Sequence, residues 1–318
     1  MLDAAYLIVG LLVLIKSADW LVVGASDLAR RFGISPLVIG LTIVSFGTSM
    51  PELVVTLISG LAQKPDLAIG NIVGSNICNV LLVLGVSAIV RPLQVRDSTV
   101  FTEIPFSLTS ALLVGFLANA ALFTNNPALT ISRIDGVILL GFFLLFMLYV
   151  YTMSRDSSYF EGQEGKSQTS LRDTFYLVIG IVGLYFGGDW VVTGAVGLAQ
   201  SWGVDDAMIG LTIVAIGTSS PELVASVVAA ARGETDIAVG NVVGSNIFNL
   251  LWILGLTSTV VELPFEVVSN TDLVMVIAAS VMILLAMVTT KKRAVLRWHG
   301  VLFVSLYAAY LAFVVTRS

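Results

Sequence analysis

Apolar residues fill most of the chain in windows of about 20 residues, and short polar segments separate these windows. A window of this length spans the hydrocarbon core of a bilayer as an α-helix. The pattern predicts ten helices, near residues 5–29, 35–60, 67–90, 100–122, 133–153, 172–199, 206–231, 236–261, 269–290 and 297–315. The predicted fold class is therefore an all-α membrane protein with ten transmembrane helices.

One polar segment is longer than the others. It runs from Ser154 to Asp173 and is rich in Ser, Gly, Gln and charged residues. Such a composition predicts a flexible linker, and its length is too short for a folded regulatory domain. The predicted organisation is a first five-helix unit at 1–153, a cytoplasmic linker at 154–171 and a second five-helix unit at 172–318.

Composition supports a membrane protein and argues against several other classes of protein and site. Hydrophobic residues make up 57% of the chain, charged residues 12%, and the mean hydropathy is +0.97. The net charge of −5 shows no basic footprint for nucleic acid. Cys78 is the only cysteine, which excludes an intrachain disulfide and a cysteine-based metal site. The first apolar run begins near Tyr6 and is too long for a cleaved signal, so it predicts a retained helix.

Lysine and arginine placement predicts the orientation in the cytoplasmic membrane. With the N-terminus outside, twelve basic residues fall in inner segments and three in outer segments, while Lys16 lies inside a helix. The inner residues are Arg30, Arg31, Arg91, Arg96, Arg155, Lys166, Arg172, Arg232, Lys291, Lys292, Arg293 and Arg297, and the outer ones are Lys64, Arg133 and Arg317. Both termini are therefore expected outside and the central linker in the cytoplasm.

The chain contains an internal repeat with an offset of 170 residues. Gly40–Thr56 reads GLTIVSFGTSMPELVVT and Gly210–Ser226 reads GLTIVAIGTSSPELVAS, which agree at 12 of 17 positions. Asp66–Asn79 likewise returns as Asp236–Asn249, with 10 of 14 positions identical. Each predicted unit has five helices, an odd number, so the second must enter the membrane from the opposite side. The sequence thus predicts two inverted repeats, the architecture of secondary transporters that bind substrate between their repeats.

Each copy places a carboxylate inside an apolar helix. Charge in that position is expensive, so the default interpretation is functional. Helical geometry puts the polar residues of each copy on one face. In the first copy these are Ser45, Thr48, Ser49, Glu52 and Thr56, and in the second Thr218, Ser219, Glu222 and Ser226, with Ala215 in place of the first serine.

A proline precedes each carboxylate. Pro51 has no N–H to donate to the carbonyl of Gly47, and Pro221 has none for Gly217, so a carbonyl is loosened at each site. Each copy therefore offers a carboxylate, two hydroxyls and a free carbonyl at one bend. Oxygen ligands of this kind suit hard cations such as Ca²⁺ and Na⁺. A proline kink whose hydroxyls bond their own backbone would explain one threonine or serine, but not a duplicated glutamate.

Predicted helices three and eight supply a second polar face. The spacing of four residues places Asn71, Ser75 and Asn79 on one side of a helix, and Asn241, Ser245 and Asn249 repeat them. The glycine pairs Gly70 with Gly74 and Gly240 with Gly244 permit close helix contact. For the asparagines, plain interhelical hydrogen bonding is the alternative to an ion-binding role. Asn76 and Asn246 project elsewhere and are expected to serve packing only.

These motifs resemble a known family. GTSxPE followed by GNxxGSNIxN, twice in one chain, is similar to the sodium/calcium exchangers of the cation/Ca²⁺ exchanger superfamily, and the resemblance covers essentially the whole chain. It implies three Na⁺ sites and one Ca²⁺ site between the repeats. It also implies an antiporter with no catalytic residues and no cofactor, whose partners are Ca²⁺, Na⁺ and the lipid bilayer rather than nucleic acid or another protein.

The resemblance assigns roles residue by residue. Glu52 and Glu222 would be the central shared ligands, and Thr48 and Thr218 would give Ca²⁺ their carbonyls. The flanking Na⁺ sites would be built from Ser49 with Ser75 and from Ser219 with Ser245, completed by the carbonyls of Ser45 and Ala215, while Asn79 and Asn249 would occupy the middle. One departure is Asn249, where some relatives carry Asp. Losing that carboxylate argues against K⁺ co-transport and leaves two glutamates to balance Ca²⁺.

Other polar residues are expected to be structural. Asp19 and Asp189 are duplicated and intramembrane, but their Trp and Gly neighbours favour helix packing, with Asp19 pairing with Lys16. Asp66 and Asp236 are expected as helix N-caps. Glu103 is expected to be solvated at the interface, and His299 is not expected to act as a pH sensor.

Competing functions remain at this stage. A Ca²⁺/H⁺ antiporter could use the same glutamates as proton carriers, although the additional hydroxyls favour Na⁺. An ion channel would not need an inverted repeat. An intramembrane hydrolase would need a Ser–His, Ser–Lys or Asp–Asp pair, which the sequence does not offer. The favoured prediction is electrogenic Na⁺/Ca²⁺ exchange by alternating access.

Overall fold

The computed structural model describes residues 2–95, 97–123, 129–155, 170–203, 215–266, 269–290 and 292–317, and these are almost entirely helical. The helices are α1 (Leu2–Phe32), α2 (Pro36–Thr48), α3 (Met50–Leu61), α4 (Pro65–Val90), α5 (Thr99–Ala118), α6 (Arg133–Ser154), α7 (Ser170–Ser201), α8 (Ala215–Thr218), α9 (Ser220–Arg232), α10 (Thr235–Val260), α11 (Ser269–Thr289) and α12 (Arg297–Arg317).

Eight of these described helices are long and apolar enough to cross a membrane, and the bent pair α2 and α3 brings the number to nine. The tenth predicted span, 206–231, begins outside the described residues, which contain only its end as α8 and α9. The all-helical membrane class is confirmed, whereas the count of ten stays a prediction. Most of the predicted linker, at 156–169, also lies outside the described residues.

The predicted helix at 35–60 is broken at the bend that its proline predicts. Helices α2 and α3 meet at Ser49 with a bend of 48°. Pro51 is the second residue of α3 and cannot complete the preceding turn, which explains the break. The second copy behaves alike: Ser49 has φ −84° and ψ 8°, and Ser219 has φ −87° and ψ 7°. The duplicated sequence therefore produces a duplicated backbone break.

Four two-residue strands tie the two halves of the chain together. They are β1 (Leu93–Gln94), β2 (Thr130–Ile131), β3 (Leu263–Pro264) and β4 (Ala294–Val295). β1 pairs with β4 and β2 pairs with β3, both antiparallel. Each pair joins a loop of the first half to a loop of the second, so the halves interlock rather than form separate domains.

Helices α1 and α7, which are equivalent in the repeat, pack against each other in opposite directions. Gly10 of α1 faces Val191 and Gly187, whereas Gly24 faces Leu177. The contacts thus pair higher residue numbers of α1 with lower residue numbers of α7, so these two repeat-related helices are antiparallel. The glycines allow the two backbones to approach closely, as is common between membrane helices.

Helices α4 and α10 form the centre of the bundle. Their most apolar windows are 78% and 94% buried, compared with 44% or less for the other full-length spans. Gly240 lies against α2, where a Cβ atom would be 2.9 Å from the carbonyl oxygen of Leu37. The two helices that carry the Asn–Ser–Asn faces are thus the most enclosed helices of the described chain.

Two predicted helix caps are wrong. Asp66 lies inside α4, because Pro65 takes the first helical position and Lys64 the capping position. Asp236 lies in the first turn of α10, because Glu234 takes the capping position. In both helices the carboxylate stands near the positive end of the helix dipole without capping it.

The close approach of α1 and α7 leads to a stability prediction. A Cβ atom at Gly180 would lie 2.7 Å from the backbone nitrogen of Leu21, so Gly180→Ala should cost about 1–3 kcal/mol and lower the melting temperature in detergent. Gly141→Ala is the control, because nothing lies within 4 Å of that position. Equal melting temperatures for the two variants would show that the helices do not pack as described.

Candidate ion-binding site

Glu52 and Glu222 lie at the centre of the bundle, at the first turns of α3 and α9. Both side chains are completely buried. Each follows its own helix break by a few residues, because Pro51 and Pro221 begin the new helix and turn the carboxylate inward. The two glutamates that the repeat singled out therefore occupy equivalent buried positions.

Four serine hydroxyls reach these carboxylates, and two of them cross between the repeats. Ser75 and Ser219 each donate to Oε1 of Glu52 at 3.3 Å. Ser49 and Ser245 donate to Oε1 of Glu222 at 2.9 and 3.4 Å, respectively. Each glutamate thus takes one hydroxyl from its own repeat and one from the other repeat. The resemblance assigns Ser49 with Ser75 to one flanking site and Ser219 with Ser245 to the other. Each glutamate therefore contacts one serine of each flanking site.

The second oxygen of each carboxylate has no partner. Oε2 of Glu52 and Oε2 of Glu222 are buried without a hydrogen bond to any described residue. Among the described residues, the salt bridges involve neither glutamate. Two buried carboxylates without a counter-charge are costly, since an unpaired charge away from water is one of the most unfavourable features of a protein interior. The arrangement therefore favours a cation or a proton supplied from outside the chain.

Two amide oxygens are also free at this site. Asn79 Nδ2 donates to Asn246 Oδ1, and Asn249 Nδ2 donates to Asn76 Oδ1, each at 3.1 Å. Within the described part of the chain, the side-chain oxygens of Asn79 and Asn249 are left buried and unpartnered. Asn79 begins a π-helical turn and Asn249 lies in another, a feature that is frequent at functional sites.

Asn76 and Asn246 have a role that the sequence prediction missed. Each donates its amide N–H to the other's backbone carbonyl at 3.4 Å and accepts the amide of Asn249 or Asn79. The expectation that they only pack is wrong, because the two helices cross closely enough for them to bond each other. Their symmetric spacing of three residues before Asn79 and Asn249 was the available signal.

Asn71 and Asn241 join the broken helices to α4 and α10. Asn71 donates to the hydroxyl of Thr56 at 2.9 Å, and Asn241 donates to that of Ser226 at 2.9 Å. Thr48 donates its hydroxyl to Oδ1 of Asn241 at 3.0 Å. The interhelical hydrogen bonding considered for these two asparagines is present, and it orients the helices that carry the carboxylates.

The remaining predicted ligands lie around the breaks. The carbonyl of Ser45 accepts the backbone N–H of Ser49 at 3.0 Å, and its hydroxyl bonds Thr42 within the helix. Thr218 lines a cavity of about 190 Å³ beside both prolines. Ala215 is the first described residue of its helix. All twelve predicted positions lie within four residues of a break or on α4 and α10.

Glu103 differs from expectation, and Asp19 has one partner more than expected. Glu103 is completely buried and accepts a hydrogen bond from the hydroxyl of Tyr149, so the expected interfacial solvation is wrong. Glu103 is the last residue of the π-helical turn Thr99–Glu103, and its partner Tyr149 belongs to α6. Asp19 pairs with Lys16 at 3.6 Å as predicted, and also with Arg232, which the sequence did not indicate.

The donor set is composed of oxygen atoms. No three His, Cys, Asp or Glu side chains of the described residues cluster in a way that would hold a transition metal. Two carboxylates, four hydroxyls and two amide oxygens are instead the ligands that hard cations prefer.

Comparison with known proteins agrees with this geometry. The sodium/calcium exchanger protein family matches residues 2–152 and 173–316. A putative antiporter, CaxA of Alkalimonas amylolytica, is 36% identical over 314 residues and covers 96% of both chains. The sodium/calcium exchanger MaX1 of Methanosarcina acetivorans is 32% identical over 337 residues, again with 96% of each chain covered.

A solved structure has the same fold. The sodium-calcium exchanger NCX_Mj, soaked with Na⁺ and Ca²⁺, matches 98% of each chain with a TM-score of 0.81 and 34% sequence identity. The family consists of membrane exchangers rather than enzymes, and the resemblance found in the motifs is confirmed. The chain belongs to the sodium/calcium exchanger protein family.

Proposed function

We propose that this protein exchanges Na⁺ for Ca²⁺ across the cytoplasmic membrane by alternating access, and that the exchange moves net charge. The observation that carries the proposal is the crossed set of serine hydroxyls about two buried carboxylates whose second oxygens have no partner. Bound cations neutralise Glu52 and Glu222, which allows the loaded site to close and reopen on the other side.

The geometry supports the ligand roles that we propose. Glu52 and Glu222 face Ca²⁺ and share the flanking Na⁺ sites, because each touches serines of both. The proposed flanking sites use Ser49 with Ser75 and Ser219 with Ser245, while Asn79 and Asn249 offer their free oxygens in the middle. The carbonyls of Thr48, Thr218, Ser45 and Ala215 complete the shells.

The proposed architecture is ten helices in two inverted repeats, with both termini outside and the linker in the cytoplasm. The antiparallel packing of α1 and α7 supports the inversion, since these helices are equivalent in the repeat. The placement of lysine and arginine supports the orientation.

The second candidate is Ca²⁺/H⁺ exchange through the same glutamates. A buried carboxylate with an unpartnered oxygen can also take a proton, which is why this candidate stays open. Four hydroxyls on two carboxylates favour Na⁺, because a proton needs no oxygen cage. The deciding experiment is Ca²⁺ uptake by proteoliposomes under an imposed Na⁺ gradient and, separately, an H⁺ gradient. Uptake driven only by H⁺ would replace the first candidate with the second.

The glutamates generate the first functional prediction. Glu52→Gln and Glu222→Gln should each reduce Na⁺-driven Ca²⁺ uptake to background, because an amide binds a divalent ion far more weakly than a carboxylate does. Glu103→Gln is the matched control, since it removes an equally buried carboxylate outside the site. Uptake is measured in proteoliposomes after size-exclusion chromatography confirms folding. Near-normal uptake by either site variant would refute the assignment.

The serines generate the second prediction. Ser75→Ala and Ser245→Ala should raise the half-saturating Na⁺ concentration about fivefold, as expected for losing one hydrogen bond of about 1 kcal/mol, and change Ca²⁺ affinity less. Ser280→Ala is the control, because that buried hydroxyl bonds its own helix at 2.9 Å. An equal loss of affinity for both ions would argue against separate flanking sites.

Charge movement is the third prediction. Glu52 and Glu222 carry two negative charges, which one Ca²⁺ balances and three Na⁺ exceed by one. Each cycle should then respond to voltage by about 2.3 kcal/mol per elementary charge per 100 mV. A potential clamped with K⁺ and valinomycin should change the Na⁺-driven Ca²⁺ flux, and reversing its sign should reverse the change. A flux that ignores the potential would mean two Na⁺ per Ca²⁺ and one flanking site fewer.

A further inference from the structure

Asp19 and Asp189 are equivalent in the repeat but have different surroundings. They lie near the middle of α1 and α7, the antiparallel pair, each followed by a tryptophan. The glycine contacts place Asp189 level with about residue 12 of α1. The two carboxylates are therefore separated by about seven residues, or about 10 Å, along the axis of the pair.

Asp19 is neutralised by basic residues. Nε of Arg232 donates to Oδ1 of Asp19 at 2.8 Å, and Lys16 lies 3.6 Å from Oδ2. A second ion pair joins Arg30 of the same helix to Glu234 at 3.4 Å. The ion pairs thereby connect α1 to the end of α9. They also balance the negative charge of Asp19.

Asp189 has no such partner. Within the described chain, no basic side chain forms a salt bridge with it. The repeat explains the difference, because the positions equivalent to Lys16 and Arg232 are Phe186 and Ala62. The asymmetry between the two aspartates is thus encoded in the sequence and does not depend on one side-chain placement.

Asp189 is exposed and lines the cavity of about 190 Å³ that reaches the helix breaks. The same cavity is bounded by Pro51, Pro221, Thr218 and Tyr185. Thr218 immediately precedes Ser219, whose hydroxyl contacts Glu52. A carboxylate without a partner in the middle of a membrane helix is stable only where water reaches it. The cavity thus joins Asp189 to Thr218 and to the two prolines that precede Glu52 and Glu222.

We propose that Asp189 attracts the transported cation into this cavity, while Arg232 cancels the equivalent attraction of Asp19 in the same conformation. A fixed negative charge in the wall of a low-dielectric cleft raises the local cation concentration and the rate of association. Asp189 is a positioning residue, because its charge guides the ion toward Glu52 and Glu222 without completing their site. The claim that the attracted cation is the transported ion rests on the proposed function, whereas the attraction of cations by Asp189 does not.

The transport test measures initial Ca²⁺ uptake by Na⁺-loaded proteoliposomes at about 10 mM and about 300 mM choline chloride. The higher salt concentration screens the attraction between Asp189 and a cation much more strongly. Asp189→Asn should raise the half-saturating Ca²⁺ concentration about threefold to tenfold at low salt, with the maximal rate retained, and the difference should shrink at high salt. Asp189→Glu should restore the wild-type value. Asp19→Asn, the matched control, should shift it less than about twofold at either salt concentration, because its charge is already cancelled.

A second test needs no transport. Tyr185→Cys places a thiol in the cavity one helical turn from Asp189, and the only native cysteine, Cys78, is buried. The rates of modification by a cationic and a neutral thiosulfonate of similar size are compared. Adding Asp189→Asn should lower the cationic-to-neutral ratio severalfold, whereas adding Asp19→Asn should leave it unchanged.

The two tests separate the possible failures. Absence of Ca²⁺ uptake in the wild type, combined with the expected labelling ratio, would refute the proposed exchange but support attraction of cations by Asp189. A labelling ratio that ignores Asp189, or an unreactive thiol at position 185, would overturn the proposal whatever ion is transported. A loss of uptake in Asp189→Asn that does not depend on salt would also overturn it, since a structural role would produce that result.

Discussion

The structure depends on two carboxylates that the protein buries without supplying a counter-charge. Glu52 and Glu222 each receive hydroxyl groups from both repeats, yet each keeps one oxygen free. Such an arrangement is unstable on its own, because the hydrogen bonds do not replace the hydration of a charge. The arrangement therefore favours a cation or a proton from outside the chain, which is the basis of the exchange that we propose.

The rest of the fold holds this pair in place. The prolines break two helices at equivalent points, α4 and α10 enclose the breaks, and the asparagine network between these helices fixes the direction of the amide oxygens. Asn76 and Asn246 bond each other's helix and accept the amide N–H groups of Asn249 and Asn79. The side-chain oxygens of Asn79 and Asn249 therefore remain available. The short strand pairs then join the loops of one half to those of the other.

Sequence reasoning failed where the answer depended on a distant neighbour. Glu103 was expected to be solvated at the membrane interface, but it bonds the hydroxyl of Tyr149, 46 residues later on another helix. Asp19 was matched to Lys16 within its own turn, while Arg232 approaches from the other repeat. The caps at Asp66 and Asp236 failed for a local reason, since in each helix an earlier residue occupies the capping position.

The amino-acid sequence by itself determined the membrane class, the repeat, both breaks and the identity of the carboxylates. These features follow from hydropathy, from helical periodicity and from the missing N–H of proline, all of which act over a few residues. Only the tertiary structure decided that serines cross between repeats and that Asn76 holds Asn249. It also decided that Asp19 is paired while Asp189 faces a cavity. Those contacts join residues far apart in the chain, and periodicity along one helix carries no information about which side chain another helix brings to it.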